Sequence, residues 1–151
     1  MSVGDVCNRE VVIVNAGESV MDAVRLMRKH HVGDVVVVED SNGRKVPKGI
    51  LTDRDIVIEI IAENVDLASV RIGDVMSFEL LAVHENDEIM DAIKSMRAKG
   101  VRRAPVVNDK NELQGILAVD DLIGLITDQL TDVVRLVTRE QQREREKRPV
   151  R

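Results

Sequence analysis

Gly49-Ile50-Leu51-Thr52-Asp53-Arg54-Asp55, with its later echo Gly115-Ile116-Leu117-Ala118-Val119-Asp120-Asp121, decides how the chain is read. Each stretch opens on a short apolar run of strand character and passes into the first turn of a helix. Each sets an aspartate, Asp55 or Asp121, in that first turn. A carboxylate has two acceptor oxygens, and a ribose diol has two hydroxyls to donate. The stretch therefore raises the expectation of a nucleotide-binding regulatory unit. A plainer reading stands beside it. Thr52 with Asp55 three residues on resembles a capping box, although that box prefers Glu or Gln. In the echo Ala118 cannot cap through its side chain, yet Asp121 persists. That persistence argues for a second task.

Outward from this stretch the chain repeats itself. At an offset of 69, Val3-Gly4-Asp5-Val6 meets Ile72-Gly73-Asp74-Val75, Met21-Asp22-Ala23-Val24 meets Met90-Asp91-Ala92-Ile93, and Val37-Val38 meets Val106-Val107. Past the loops the offset falls to 66, so the first copy holds three extra residues between Ser41 and Lys48. Asn42-Gly43 and Pro47 are turn signals there. Matches in helices, strands and turns together establish an internal duplication.

One copy reads in order. Val11 to Val14 is a short strand run, echoed at Leu80 to Val83. A helix follows from about Ser19 to His30, with Val20, Ala23, Val24 and Met27 on one stripe. Ile89, Ala92, Ile93 and Met96 repeat that stripe, with Asp87 as the expected N-cap. Val35 to Val38 is apolar on both faces, as in a central strand. Its echo places Pro105 near the start, where a strand tolerates proline. A turn leads into the Gly-Ile-Leu strand, and a second helix runs from Asp53 to about Ala62, or from Val119 to about Leu130. The unit is β-α-β-β-α, an α+β fold. Two copies are expected to pack sheet to sheet about a pseudo-twofold axis, each covering what the other leaves bare. The repeats span 3–63 and 72–130, and 131–151 forms a C-terminal helix and charged tail. Leu130, Val133, Val134, Leu136 and Val137 continue an apolar stripe, and from Thr138 to Arg148 only polar and charged residues follow. Glu140 with Arg143, and Glu144 with Lys147 or Arg148, stand at helix-pair spacing. That segment is either a solvated helix fraying into a tail or a helical dimer surface.

Composition limits the function classes. Six cations against three anions from Arg139 to Arg151 leave −8 for the remainder of a chain whose net charge is −5. An acidic body argues against a nucleic-acid backbone as partner. Phe78 is the one aromatic, so there is no stacking platform for single strands. Cys7 alone forms no internal disulfide. No apolar run reaches membrane length, so no membrane partner and a cytoplasmic location are expected.

The expected site has three parts. Asp55 binds the ribose hydroxyls, and Thr52 reaches a ribose or phosphate oxygen beside the free N–H groups of the helix start. An adenine slides between apolar strand residues: Val32, Val35 and Ile50, or Val101, Ala104 and Ile116. Arg102 and Arg103 supply cations, unless they are a solvated pair at a strand end. Their counterparts are Gly33 and Asp34, so the Asp55 cleft is expected to borrow both arginines across the axis. The Asp121 cleft then sees Gly33 and Asp34, with Arg54 from the other helix start.

The duplicated unit, Gly100-Val101-Arg102-Arg103-Ala104-Pro105-Val106-Val107 and Gly49 to Asp55 together resemble a CBS domain pair, or Bateman module, over Val3 to about Leu130. The resemblance implies two clefts for AMP, ADP, ATP or S-adenosylmethionine as regulatory ligand, with no required cofactor. It implies ribose and phosphate contacts at Thr52 and Asp55, of which only Asp121 carries over to the second copy. It also implies a disc-like homodimer that regulates a protein partner of unknown identity, here as a stand-alone sensor. A ligand-free interaction module with vestigial clefts is the alternative. No metal site is expected, since His30-His31 and His84 lack a ligand pattern. No catalytic residue is expected either: Cys7 aligns with Met76 as a packing residue, and no nucleophile triad or P-loop is present.

Overall fold

Val35-Val36-Val37-Val38 sits in the middle of the first sheet, as its apolarity on both faces requires. The computed structural model describes residues 1–77, 79–148 and 150; Phe78, Pro149 and Arg151 lie outside them. Two units are distinguished, Met1–Ala118 and Val119–Arg151. The first contains α1 (Val3–Val6), β1 (Ile13–Val14), α2 (Val20–His30), β2 (Asp34–Ser41), β3 (Arg44–Thr52) and α3 (Asp53–Ile56). A π-helical turn, Val57–Ile61, prolongs α3, and a 3-10 turn, Leu67–Ser69, lies in the connector. Then come α4 (Ile72–Val75), β4 (Val83–His84), α5 (Ile89–Lys99), β5 (Arg103–Val107) and β6 (Leu113–Ala118). The second unit is the single helix α6, Val119–Lys147.

Both sheets have three strands with the same topology, β1-β2-β3 and β4-β5-β6. The outer pair in each is parallel and the hairpin pair antiparallel. Each hairpin has a bulge at the same place, between Val37 and Val38 and between Val106 and Val107. The α+β architecture with tandem repeats is thus as expected. The first hairpin closes on Asn42-Gly43, both at positive φ, as a tight two-residue turn demands.

Side chains of β2 alternate between two cores. Val35 and Val37 join Val20, Ala23 and Met27 of α2, with Leu51, Ile56 and Ile60, under the helix layer. Val36 and Val38 join Ile50 and Ile116 between the sheets. The sheets therefore meet face to face, through the alternation a strand imposes.

The repeats also exchange their opening segments. Ile72 and Gly73 donate backbone N–H groups to Glu18 and Ala16, while Val3 and Gly4 donate to Asp87 and Glu85. Farther on, Ser77 bonds Ile50, and Asn8 bonds Ile116 in both directions. These contacts are images of one another under the offsets of 69 and 66, which is the pseudo-twofold axis in hydrogen-bond form. Ile72 and Met76 consequently sit in the first repeat's core. The crossing explains two glycines. A Cβ on Gly49 would stand 2.6 Å from Ser77 O, and one on Gly115 would stand 2.7 Å from Asn8 O.

Several local expectations change. Glu88, not Asp87, is the N-cap of α5, without a side-chain cap bond. The Asp87 carboxylate instead accepts the His84 N–H at 2.9 Å. Pro105 lies inside β5, opposite Ile116, rather than at its start. Its counterpart Val36 donates an N–H to Val12 O; proline has none to give, and the parallel pairing of β4 begins at Val83. The second helix of repeat 1 is short and widens into the π-helical turn. On α6, among the described residues, side-chain bonds join Arg139 to Gln142 and Gln142 to Glu146 instead of the Glu–Arg pairs that spacing allowed. No helix of the described residues is long and apolar enough to cross a membrane.

Candidate functional site

Thr52 ends β3 and caps α3 in extended geometry, φ −106° and ψ 159°. Its Oγ1 accepts the Asp55 N–H at 3.1 Å, and its own N–H donates to Asp55 Oδ2 at 3.0 Å. The capping box is complete despite the shorter acid. It does not exhaust the carboxylate. Each oxygen has two lone-pair sites, and Oδ1 of Asp55 takes no partner among the described residues.

Beside this helix start lies a cleft of about 520 Å³. Four stretches wall it. Ile50 comes from β3, and Thr52, Asp53, Arg54 and Asp55 from the helix start. Ser77, Glu79, Leu80 and Leu81 come from the crossing segment of the second repeat, and Gly100 to Arg103 from the start of β5. The structure thus brings Thr52, Asp55, Arg54, Ile50, Val101, Arg102 and Arg103 to one cleft. The two arginines from the second repeat line the same cleft as the first repeat's Asp55. Arg54 lines this cleft, where the sequence placed it beside Asp121.

Other expected residues lie elsewhere. Val35 is fully buried in the helix-side core, Ile116 belongs to the core between the sheets, and Ala104 is fully buried. None of the three lines the cleft. Val32 borders a second hollow of about 590 Å³ with Asn8, Glu10, Val11 and Val12. At an offset of 69 these five correspond to Val101, Ser77, Glu79, Leu80 and Leu81 of the first cleft. Asp121 is half-buried on α6, in the second unit.

The cleft's charges are not all free. Arg103 Nε lies 3.0 Å from Asp34 Oδ1. Their positions are equivalent under the repeat, so one site carries opposite charges in its two copies and the pair closes across the axis. Burial pushes the Asp34 carboxyl above the usual carboxylate range; Arg103 pulls it back, and Asp53 adds to the upward push. Arg54 and Arg102 remain exposed. The N–H groups expected to be free at the helix start are taken: Asp53 N–H donates to Gly33 O, Arg54 N–H to Asp53 Oδ1 and Asp55 N–H to Thr52 Oγ1. The arrangement offers apolar walls at Ile50, Leu80 and Val101, a carboxylate oxygen and two exposed guanidinium groups. That set suits a flat ring bearing a diol and an anionic or polar tail.

Sequence reasoning missed Ser77, Glu79, Leu80 and Leu81. Their signal was Gly49 and Gly115, which mark where another backbone passes too close for a Cβ.

The family model "CBS domain" matches twice, at residues 3–62 and 72–128. The CBS domain-containing protein YhcV of Bacillus subtilis is 38% identical over 121 residues, 80% of this chain and 82% of that protein. An uncharacterised protein of Methanopyrus kandleri is 36% identical over 123 residues, covering 82% of this chain but 61% of its own length. The chain thus spans less than two thirds of that relative. Among solved structures, a CBS domain pair in complex with 5′-methylthioadenosine and S-adenosyl-L-methionine superposes with a TM-score of 0.73 at 23% identity, over 85% of this chain and 98% of that one.

Proposed function

The chain belongs to the CBS domain family, with two copies of the domain in tandem, and from that premise we propose that it is a regulatory module for an adenosyl ligand. The ligand class is AMP, ADP, ATP or S-adenosylmethionine, held in the cleft beside Thr52 and Asp55. In this reading Asp55 takes the ribose diol, Arg54 and Arg102 meet the charged end, and the base lies against Ile50 and Val101. The module performs no catalysis. Its ligand shifts a conformation by binding one state more tightly than another, and a protein partner reads the result. Repeats over 3–63 and 72–130, a homodimer and a weaker or empty Asp121 cleft complete the proposal. Exposed Val57, Ile58 and Ile61 favour the homodimer.

The observation that carries the proposal is that stretches of both repeats wall the cleft that holds Asp55, which keeps one carboxylate oxygen outside its capping box, together with the exposed Arg54 and Arg102. The complex of a fold neighbour with adenosyl compounds supports the ligand class. Isothermal titration with AMP, ATP and S-adenosylmethionine tests it. Asp55→Ala is expected to weaken the tightest of the three at least tenfold, and unchanged affinity would reject the site.

A second reading has its own observation. Asp55 already caps a helix and Arg103 already pairs with Asp34, so both have structural work in an empty cleft. On that reading the chain is a ligand-free interaction module. A thermal-shift panel separates the two, because a bound ligand raises the melting temperature by mass action.

A further inference from the structure

Arg103 lines the cleft of Asp55, yet it is already bonded to an anion. Its Nε lies 3.0 Å from Asp34 Oδ1, and that carboxylate, 17% exposed, has little water to turn to. The backbone fixes Asp34 in place. It stands opposite Thr52 in the first hairpin, and the carbonyl of Gly33 before it accepts the Asp53 N–H. Asp34 does not itself line the cleft. It acts on a bound molecule through Arg103 and through its own charge.

The remaining lining does not replace the cation that Asp34 occupies. Arg54 and Arg102 are exposed cations, and Asp53, Asp55 and Glu79 are anions. With Arg103 included the lining is neutral, and Asp34 makes the neighbourhood negative. Asp53 stands close to the same place, since a Cβ on Gly33 would lie 3.1 Å from its Oδ2. A fixed anion beside a phosphate repels it in proportion to the charge that the phosphate carries. A phosphomonoester bears about −1.5 to −2 at neutral pH, and each further phosphoryl group adds more. The penalty therefore grows from monophosphate to triphosphate, while the contacts to base and ribose stay the same.

We infer that Asp34 is a specificity-determining residue of the cleft: by holding Arg103 it disfavours tails of high negative charge, so that a nucleoside monophosphate binds ahead of the triphosphate. The inference rests on the adenosyl reading of the cleft and adds to it the order of the ligands and the residue that sets it.

Isothermal titration of the full chain with AMP and ATP, at fixed ionic strength and without divalent cations, provides the test. The parent chain is expected to bind AMP at least tenfold more tightly than ATP. Asp34→Asn keeps an acceptor for Arg103 and removes the charge. It is expected to narrow the ratio at least fivefold, chiefly by tightening ATP, with circular dichroism unchanged. Asp34→Glu restores the charge and is expected to hold the ratio within twofold of the parent value. ATP binding the parent as tightly as AMP would overturn the inference. So would an Asp34→Asn chain that weakens both ligands alike, because a purely structural role moves the two affinities together. In either case AMP still binds and the adenosyl reading survives. Failure of AMP, ATP and S-adenosylmethionine alike to bind the parent chain would instead reject that reading, and this inference with it.

Discussion

Asp34 and Arg103 show how much a single pair of residues decides. Removing Arg103 leaves a half-buried carboxylate without its cation, and Arg103→Ala is expected to cost about 1–3 kcal/mol of stability. The pH dependence has a definite sign. Asp34 holds its proton more tightly in the folded chain than in the unfolded one. Its stabilising contribution is therefore full below the unfolded value, about 4, and is lost as pH rises through the folded value. Arg103→Ala deletes the downward pull and moves the folded value higher still. Urea midpoints between pH 3 and 7 are expected to fall with rising pH over a wider range in the variant than in the parent chain. Gly49→Ala makes a separate case. Its Cβ meets the Ser77 carbonyl, which is backbone and cannot swing aside, and overpacking of that kind costs about 1–3 kcal/mol, read from the same titrations. The Thr52–Asp55 box and the two arginines were legible at this scale, because motif and chemistry are local. The Asp34–Arg103 pair was not. Val32-Gly33-Asp34 holds no cation of its own, and only the axis brings one to Asp34.

The elements were largely legible where one apolar stripe dominates. α2 begins after Ser19, whose Oγ accepts the Asp22 N–H at 3.1 Å, and α2 and α5 bury three of the four residues of each stripe, with Val24 and Ile93 half-buried. Ends were less legible. Asp87 looked like a cap by residue type, but its carboxylate turns to the preceding strand. α5 thus lacks the side-chain cap that Ser19 gives α2. Glu88→Ser at the equivalent position is expected to stabilise the chain by about 0.5–1 kcal/mol, seen as a higher melting temperature. The ion pair lost with the Met1 amino group, 3.4 Å away and exposed, is worth little. Pro105 shows the opposite limit. Proline was placed by rule at a strand start, yet it sits mid-strand because the neighbour it fails to bond is itself only two residues long.

At the scale of the whole molecule the duplication and the face-to-face sheets were legible, because the repeat runs through every kind of element. The exchange of opening segments was not, since an offset says that two copies are alike and nothing of which copy a segment joins. Each repeat lends the other part of its core: Ile72 and Met76 pack among residues of the first. A chain ending at Ala62 is therefore expected to stay unfolded by circular dichroism and amide exchange, as is one beginning at Ile72. Mixing the two pieces is expected to restore protected amides.

The crossing also fixes an order of assembly at the ribosome. The strand holding Gly49 emerges first and must wait, its bare backbone uncovered, until Ser77 follows. On a crowded messenger, Ser77 of a neighbouring nascent chain fits that vacancy equally well. Growing chains close together would then trade halves, and the length of the Glu63–Arg71 connector governs how often each finds its own.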